Sequence, residues 1–260
     1  MDKNYTHIVL IIDRSGSMDS IKEDAQGGIN SFIKEQKALP GRATLTLVQF
    51  DGLDAYEVIH LRKDLREVEP NYVLKPRDMT PLFDAVGRGI NSEGEWLAGL
   101  AEEKRPGLVS FTIATDSGNN SSTEFTQERI AEMVKHQESK YGWSFNYIGA
   151  NQDAVLVAQQ MGMQAGKAAT YSLNNTQDAY TKTSGKVGLM RSMVSNGMSA
   201  IEASNSPQAL YSAEEKAELV DPNLGNQTVS SLVGINPVNM QFAAQQTSEK
   251  DAKKRASSVK

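Results

Sequence analysis

Oxygen-bearing side chains follow two apolar segments that have the pattern of buried strands. The apolar run His7–Ile12 is followed at alternate positions by three such groups, Asp13, Ser15 and Ser17. Asp116 closes a later apolar run in the same way. In a doubly wound sheet, ligands bind beyond the carboxyl ends of the strands, so neighbouring strands would bring these groups together. Carboxylate and hydroxyl oxygens are hard donors that suit Mg²⁺. The pattern predicts a cation site.

Thr80 is a further hydroxyl that could join this site, because it lies in a loop leading into a helix that begins near Pro81. Each group taken alone has a structural interpretation. Asp13 could cap the following turn, with the two serines as turn residues. Thr80 could be a helix N-cap. The occurrence of all the groups together favours the cation site.

Three other aspartates invite a structural interpretation. Asp84 lies in the first turn of the helix after Thr80, where the helix dipole favours a carboxylate. Asp51 and Asp54 flank a predicted hairpin turn, in which aspartate is common. A second cation at this turn is the weaker alternative.

Strand and helix patterns alternate from the N-terminus to about residue 196. Continuous apolar runs are typical of strands that are buried on both faces of a parallel sheet. The segments Ala43–Phe50 and Ala55–Leu61 are predicted to pair as a hairpin, which gives one antiparallel edge strand. The fold class is therefore α/β: a doubly wound, Rossmann-like, mostly parallel sheet with helices on both faces. Further strands are predicted over 108–115, 143–148 and 168–171, and helices over 19–38, 81–100, 125–141, 153–161 and 176–196.

The pattern weakens after residue 196, which predicts three regions. We expect one domain over 1–196 and an extension over 197–240 that contains a short helix, Ala213–Leu219. We expect a disordered polar tail over 241–260. Gly27 and Gly28 lie inside the first helix, where each glycine costs about 1 kcal/mol, so close packing or a kink is predicted there.

Composition argues against several classes of function. The 260 residues carry a net charge of −5 and no cysteine, which disfavours nucleic-acid binding and removes thiolate chemistry. The three histidines are dispersed, so a zinc centre is not expected. No apolar run reaches the roughly 20 residues of a membrane helix. The N-terminal residues lack a signal-peptide pattern, which predicts a cytoplasmic protein.

The combination Asp13-x-Ser15-x-Ser17, Thr80 and Asp116 resembles the metal-ion-dependent adhesion site of von Willebrand factor A domains. The resemblance covers about residues 5–196, and Tyr147–Asn151 is similar to a segment of small, single-domain bacterial and phage members. Two positions depart from the family. Ser117 follows Asp116 where the family often has glycine, and Met79 precedes Thr80 where glycine is also common.

The resemblance implies that Ser15, Ser17 and Thr80 hold Mg²⁺ directly, with Mn²⁺ as the alternative. Asp13 and Asp116 would act mostly through bound waters. An Asp or Glu of a partner protein would fill the open position. This describes a protein-binding adaptor without enzymatic activity, and some members of the family work alongside AAA+ ATPases.

Two alternatives to the adaptor are considered. The cation could only stiffen the loops of a structural or assembly protein. The chain could also be a Mg²⁺-dependent phosphohydrolase of the haloacid dehalogenase type with Asp13 as nucleophile. Such enzymes usually have a second aspartate two residues later, where this chain has Ser15.

Overall fold

A six-stranded sheet lies at the centre of the protein, and the computed structural model describes residues 1–220. The strands are β1 (Asp2–Asp13), β2 (Arg42–Phe50), β3 (Glu57–Asp64), β4 (Pro106–Thr115), β5 (Ser144–Ala150) and β6 (Ala168–Tyr171). The strand order is β3-β2-β1-β4-β5-β6, and only β3 runs antiparallel to its neighbour, at one edge. The predicted Rossmann-like α/β sheet with one antiparallel edge strand is confirmed.

Helices cover both faces of the sheet and enclose two apolar cores. Side chains of β1 alternate between them, because successive residues of a strand point to opposite faces. The helices are α1 (Lys22–Ala38), α2 (Leu82–Ala98), α3 (Gln127–Tyr141), α4 (Ala154–Gln160), α5 (Thr176–Ser195), α6 (Ala200–Asn205) and α7 (Ala213–Leu219). Ile8 and Leu10 lie in the core under α1 and α5, whereas Val9 and Ile11 lie in the core under α2 and α3.

The starts of β1 and α1 differ from the sequence-based prediction. β1 begins at Asp2, before the apolar run, and pairs there with Pro106 of β4. A backbone ladder needs no apolar side chains, so the polar start of this strand leaves no hydrophobic signal. The first predicted helix, over 19–38, begins instead with a 3₁₀ turn over Gly16–Ile21 that leads into α1.

Helices α1 and α5 approach closely at Gly28. A Cβ atom there would lie 2.4 Å from Cδ2 of Tyr180, whereas nothing lies within 4 Å of such an atom at Gly27. The predicted close packing therefore belongs to Gly28. Only glycine at this position leaves room for the Tyr180 ring of α5 to pack against the backbone of α1.

Residues 197–220 fold back onto α5 and the end of β6. The Lys186 ammonium lies 2.6 Å from a Glu215 carboxylate oxygen, and the amide of Ser172 donates to the Leu219 carbonyl at 2.9 Å. The predicted helix Ala213–Leu219 is present as α7. The remainder of the predicted extension and the predicted tail over 241–260 lie outside the described residues. Within residues 1–220, no helix has the length and apolar character needed to cross a membrane.

A buried polar cluster fixes α2 against the sheet. His7 and Glu93 are both fully buried, with His7 Nε2 3.1 Å from Glu93 Oε2 and His7 Nδ1 2.8 Å from the Thr44 hydroxyl. Arg62 donates to the same Glu93 oxygen at 2.8 Å. Burial opposes ionisation of Glu93, but the bonds from His7 and Arg62 outweigh burial and lower its pKa.

We predict that Glu93→Gln lowers the free energy of unfolding by about 2 kcal/mol, the scale of a hydrogen bond to a charged group. Because the folded pKa lies below the unfolded one, this difference is fully present above about pH 4.3 and is lost as the pH falls further. Urea unfolding of both proteins from pH 3 to 7 measures it. Glu132→Gln, in an exposed pair with Arg129, is the control and should change stability by less than about 0.5 kcal/mol. An equal effect at both positions would contradict the interpretation.

Candidate metal centre

The parallel pairing of β1 with β4 brings two of the predicted site residues to one edge of the sheet. Ile12 lies opposite Ala114, so Asp13 and Asp116 leave the ends of neighbouring strands on the same side. Asp13 is fully buried and Asp116 is half-buried. The sequence predicts this proximity for neighbouring strands, and β1 and β4 are neighbours in the sheet.

Asp13 forms the floor of the site and is held by two donors. One of its carboxylate oxygens accepts the amide of Ser15 at 2.6 Å, and the other accepts the hydroxyl of Thr115. Burial nevertheless dominates and raises the pKa of Asp13 to about 7. Burial also raises the pKa of Asp116. Both carboxylates therefore lack the compensation that a nearby positive charge would give.

The serine hydroxyls connect the first loop to Asp116. The Ser15 and Ser17 hydroxyl oxygens are 3.1 Å apart, and Ser17 donates to Asp116 at 2.6 Å. Because the proton of Ser17 goes to Asp116, Ser15 must donate to Ser17. Ser15 is buried and Ser17 is exposed, so this row of groups runs from the floor of the site to solvent.

Thr80 lies on the other side of the site and is bound to the loop that follows β4. Its hydroxyl oxygen is 2.9 Å from that of Ser117, its amide donates to Asn120 Oδ1 at 2.8 Å, and its carbonyl accepts the amide of Asn120 at 3.1 Å. Thr80 is 1% exposed. All five predicted residues thus lie in one hydrogen-bonded group, with Thr115 and Ser117 joining Thr80 to Asp13.

Asp84 has a larger role than a first-turn aspartate favoured by the helix dipole. It does lie in the first turn of α2, but its carboxylate accepts three backbone amides of the loop after β4. The donors are Thr123, Glu124 and Phe125, at 2.9–3.0 Å. The aspartate therefore holds that loop against the start of the helix that follows Thr80.

Asp51 forms ion pairs with two arginines from different loops of the site. It is fully buried and accepts Arg14 Nε, Arg77 Nε at 2.9 Å and the amides of Leu53 and Asp54. Burial opposes its ionisation, but the arginines and amides outweigh burial and lower its pKa. The Arg77 amide also donates to the Arg14 carbonyl at 2.8 Å. Asp51 therefore belongs to the support of the site, which the sequence did not reveal.

The donor set fits a hard divalent cation. It combines two carboxylates with hydroxyls, and the salt bridges found in residues 1–220 include neither Asp13 nor Asp116. Arg14 is adjacent in sequence, but its guanidinium faces Asp51 and Glu57. The described part of the chain contains no cluster of three or more His, Cys, Asp or Glu side chains able to hold a metal. The hydroxyls are thus essential to any cation site here.

Solved structures with the same fold are von Willebrand factor A domains. A von Willebrand factor type A protein from Catenulispora acidiphila matches with a TM-score of 0.52 and 13% identity, covering 71% of this chain and 43% of the other. Mussel byssus proximal thread matrix protein 1, with a zinc-occupied metal-ion-dependent adhesion site, gives 0.51 and 13%, covering 68% and 46%. This chain has the von Willebrand factor A fold.

The pilus adhesin SpaC of Lactobacillus rhamnosus GG, in an open conformation, also matches, with a TM-score of 0.51 and 12% identity over 70% of this chain and 30% of SpaC. The von Willebrand factor A-like chain therefore spans less than half the length of these proteins. It matches no protein-family model and no curated protein sequence. At 12–13% identity this structural likeness establishes the fold alone.

We predict that Asp51→Asn lowers the free energy of unfolding by about 3 kcal/mol, because it removes the buried carboxylate that Arg14 and Arg77 share and leaves Arg14 with Glu57 alone. Urea unfolding measures the change. Asp54→Asn is the matched control, since Asp54 is exposed in the same turn and accepts only the amide of Tyr56 with its side chain. Asp54→Asn should stay within about 0.5 kcal/mol of the wild type. Equal stability of the two variants would show that Asp51 does not support the loops.

Proposed function

We propose that this chain is a protein-binding module that engages its partner through a divalent cation, Mg²⁺ or Mn²⁺. The cation would be held by Asp13, Ser15, Ser17, Thr80 and Asp116. One observation carries the proposal. These five side chains form one hydrogen-bonded group at the carboxyl edge of the sheet, and its two carboxylates lack a basic partner within residues 1–220.

The residues of the site divide into a buried floor and an open rim. Asp13, Ser15 and Thr80 are buried, and Ser17 is exposed. When bound, the cation would supply a positive charge that attracts a partner's carboxylate. The buried Asp13, Ser15 and Thr80 would hold it, and the exposed side near Ser17 would stay open to an incoming group.

The rim suits an acidic partner with apolar neighbours. Arg77 has a side chain that is 45% exposed and adds positive charge beside the site. Leu53 and Met79 are 69% and 54% exposed, on two loops that meet at Gly52. Met79 stands where the family often has glycine, so it gives this rim an apolar group in place of open backbone.

Three features support a binding role over a phosphohydrolase. Both carboxylate oxygens of Asp13 accept hydrogen bonds, and the side chain is fully buried, which is unfavourable for a nucleophile. Position 15 carries a serine, whereas phosphohydrolases of this type usually have a second aspartate there. The matched structures include an adhesin, which is a binding protein by its name. A purely structural role for the cation is the second candidate, since all the loops of the site meet at it.

The biological setting stays a prediction. The cytoplasmic location comes from the sequence, whereas one matched structure is a pilus adhesin. A link to an AAA+ ATPase comes from the family resemblance alone, so the partner must be found by experiment.

We predict that Mg²⁺ at about 100 times its dissociation constant raises the melting temperature by about 5 °C or more, because it binds only the folded state. Differential scanning fluorimetry in Mg²⁺ and in EDTA measures this. Ser17→Ala should lose most of the increase. Ser20→Ala, which removes a neighbouring hydroxyl bonded only to the Ser17 carbonyl, should keep it.

A pull-down with the same three proteins separates the two candidate functions. A partner retained in Mg²⁺ by the wild type and Ser20→Ala, but lost in EDTA and with Ser17→Ala, supports the binding module. If Mg²⁺ raises the melting temperature but the partner is retained equally in Mg²⁺ and in EDTA, the structural role is favoured. No stabilisation in Mg²⁺ or Mn²⁺ would overturn the proposed site.

A further inference from the structure

Ser117 occupies a fixed position beside the proposed cation site. Its hydroxyl oxygen is 2.9 Å from that of Thr80. Its backbone is held by Thr115, whose hydroxyl oxygen accepts the Ser117 amide at 3.1 Å and lies 2.8 Å from the Ser117 carbonyl. The same Thr115 hydroxyl contacts Asp13. Ser117 is therefore fixed through Thr115 to Asp13, and this position places its hydroxyl against that of Thr80.

A hydroxyl that binds a cation must direct an oxygen lone pair at it and give its proton to another acceptor. Thr80 is 1% exposed, so bulk water is a poor acceptor for its proton. Within residues 1–220 its hydroxyl has one hydrogen-bond partner, the hydroxyl of Ser117. Ser117 is therefore the available acceptor for the Thr80 proton.

The serine side of the site already shows the same organisation. Ser17 donates to Asp116, so Ser15 must donate to Ser17. Both hydroxyls therefore donate in the direction of the Asp116 carboxylate, which leaves a lone pair on each serine oxygen free for a cation. Thr80 has no carboxylate in that position. An acceptor on the neighbouring loop is needed there, and Ser117 supplies it.

We propose that Ser117 is a positioning residue of the cation site, which accepts the Thr80 proton and thereby turns the Thr80 oxygen toward the cation. This role rests on the proposed function, because it requires a cation at the site. Glycine at this position, common in the resembling family, offers neither the acceptor nor the donor.

The opposite orientation of this hydrogen bond makes the opposite prediction. If Ser117 donates to Thr80, it occupies a lone pair that the cation needs. Removing the hydroxyl would then strengthen cation binding. The sign of the change in affinity therefore decides between the two orientations.

The test measures binding of Mg²⁺ and of Mn²⁺ by isothermal titration calorimetry to the full chain. We expect Ser117→Ala to raise the dissociation constant roughly 5-fold, as for loss of one neutral hydrogen bond. Ser117→Thr keeps the hydroxyl and should stay within about 2-fold of the wild type. Ser121→Ala is the matched control, since the Ser121 hydroxyl lies in the same loop and has no hydrogen-bond partner in the described structure.

Melting in EDTA shows whether each variant folds as the wild type does, and a merely structural role would appear there. Ser117→Gly removes the same hydroxyl and replaces Ser117→Ala if that variant melts early. The inference is supported if the variants without the hydroxyl bind the cation more weakly and Ser117→Thr binds it as the wild type does.

Unchanged or tighter binding without the hydroxyl overturns the role of Ser117 and leaves the proposed function standing. A wild type that binds neither cation overturns both. The two failures are therefore distinguishable.

Discussion

The parallel pairing of β1 with β4 is the contact on which the site depends. It places Asp13 and the residues that follow β4 at one edge of the sheet, with Asp13 fully buried and Asp116 half-buried. Burial penalises the charged form of a carboxylate, which raises the pKa of both aspartates. Neighbouring hydroxyls supply hydrogen bonds to both groups. Ser17, in the turn after β1, donates to Asp116, and Thr115, at the end of β4, donates to Asp13.

The guanidinium of Arg14 pairs with Asp51 and Glu57 and not with Asp13. Arg14 follows Asp13 immediately, and a guanidinium in contact with that aspartate would neutralise it and fill the space. Asp51 and Glu57 hold the Arg14 guanidinium instead, and Asp51 also pairs with Arg77. Asp84 provides a second anchor through three backbone amides. These two buried aspartates give the loops their positions and leave Asp13 and Asp116 available for a cation.

The fold class could be predicted because buried parallel strands are continuous apolar runs, and their alternation with helical patterns permits few arrangements. The antiparallel strand β3 was predicted too, but two irregularities in its register were not. One of them accompanies Arg62, which has a φ of 49° and contacts Glu93. Such a contact depends on α2, which lies about 30 residues further along the chain, so no local pattern reveals it.

The sequence by itself determined the order of elements and the chemistry of the five oxygen-bearing residues, because both are encoded in local patterns of residue type. The tertiary structure decided which charges meet. The sequence predicted Asp51 as a turn residue, but it forms ion pairs with two arginines. It predicted Asp84 as a first-turn aspartate favoured by the helix dipole, but Asp84 also anchors a loop. Ser117 looked like a departure from a motif and meets Thr80. Each of these contacts joins segments that are remote in sequence, and their distances are set by the packing of whole strands and helices.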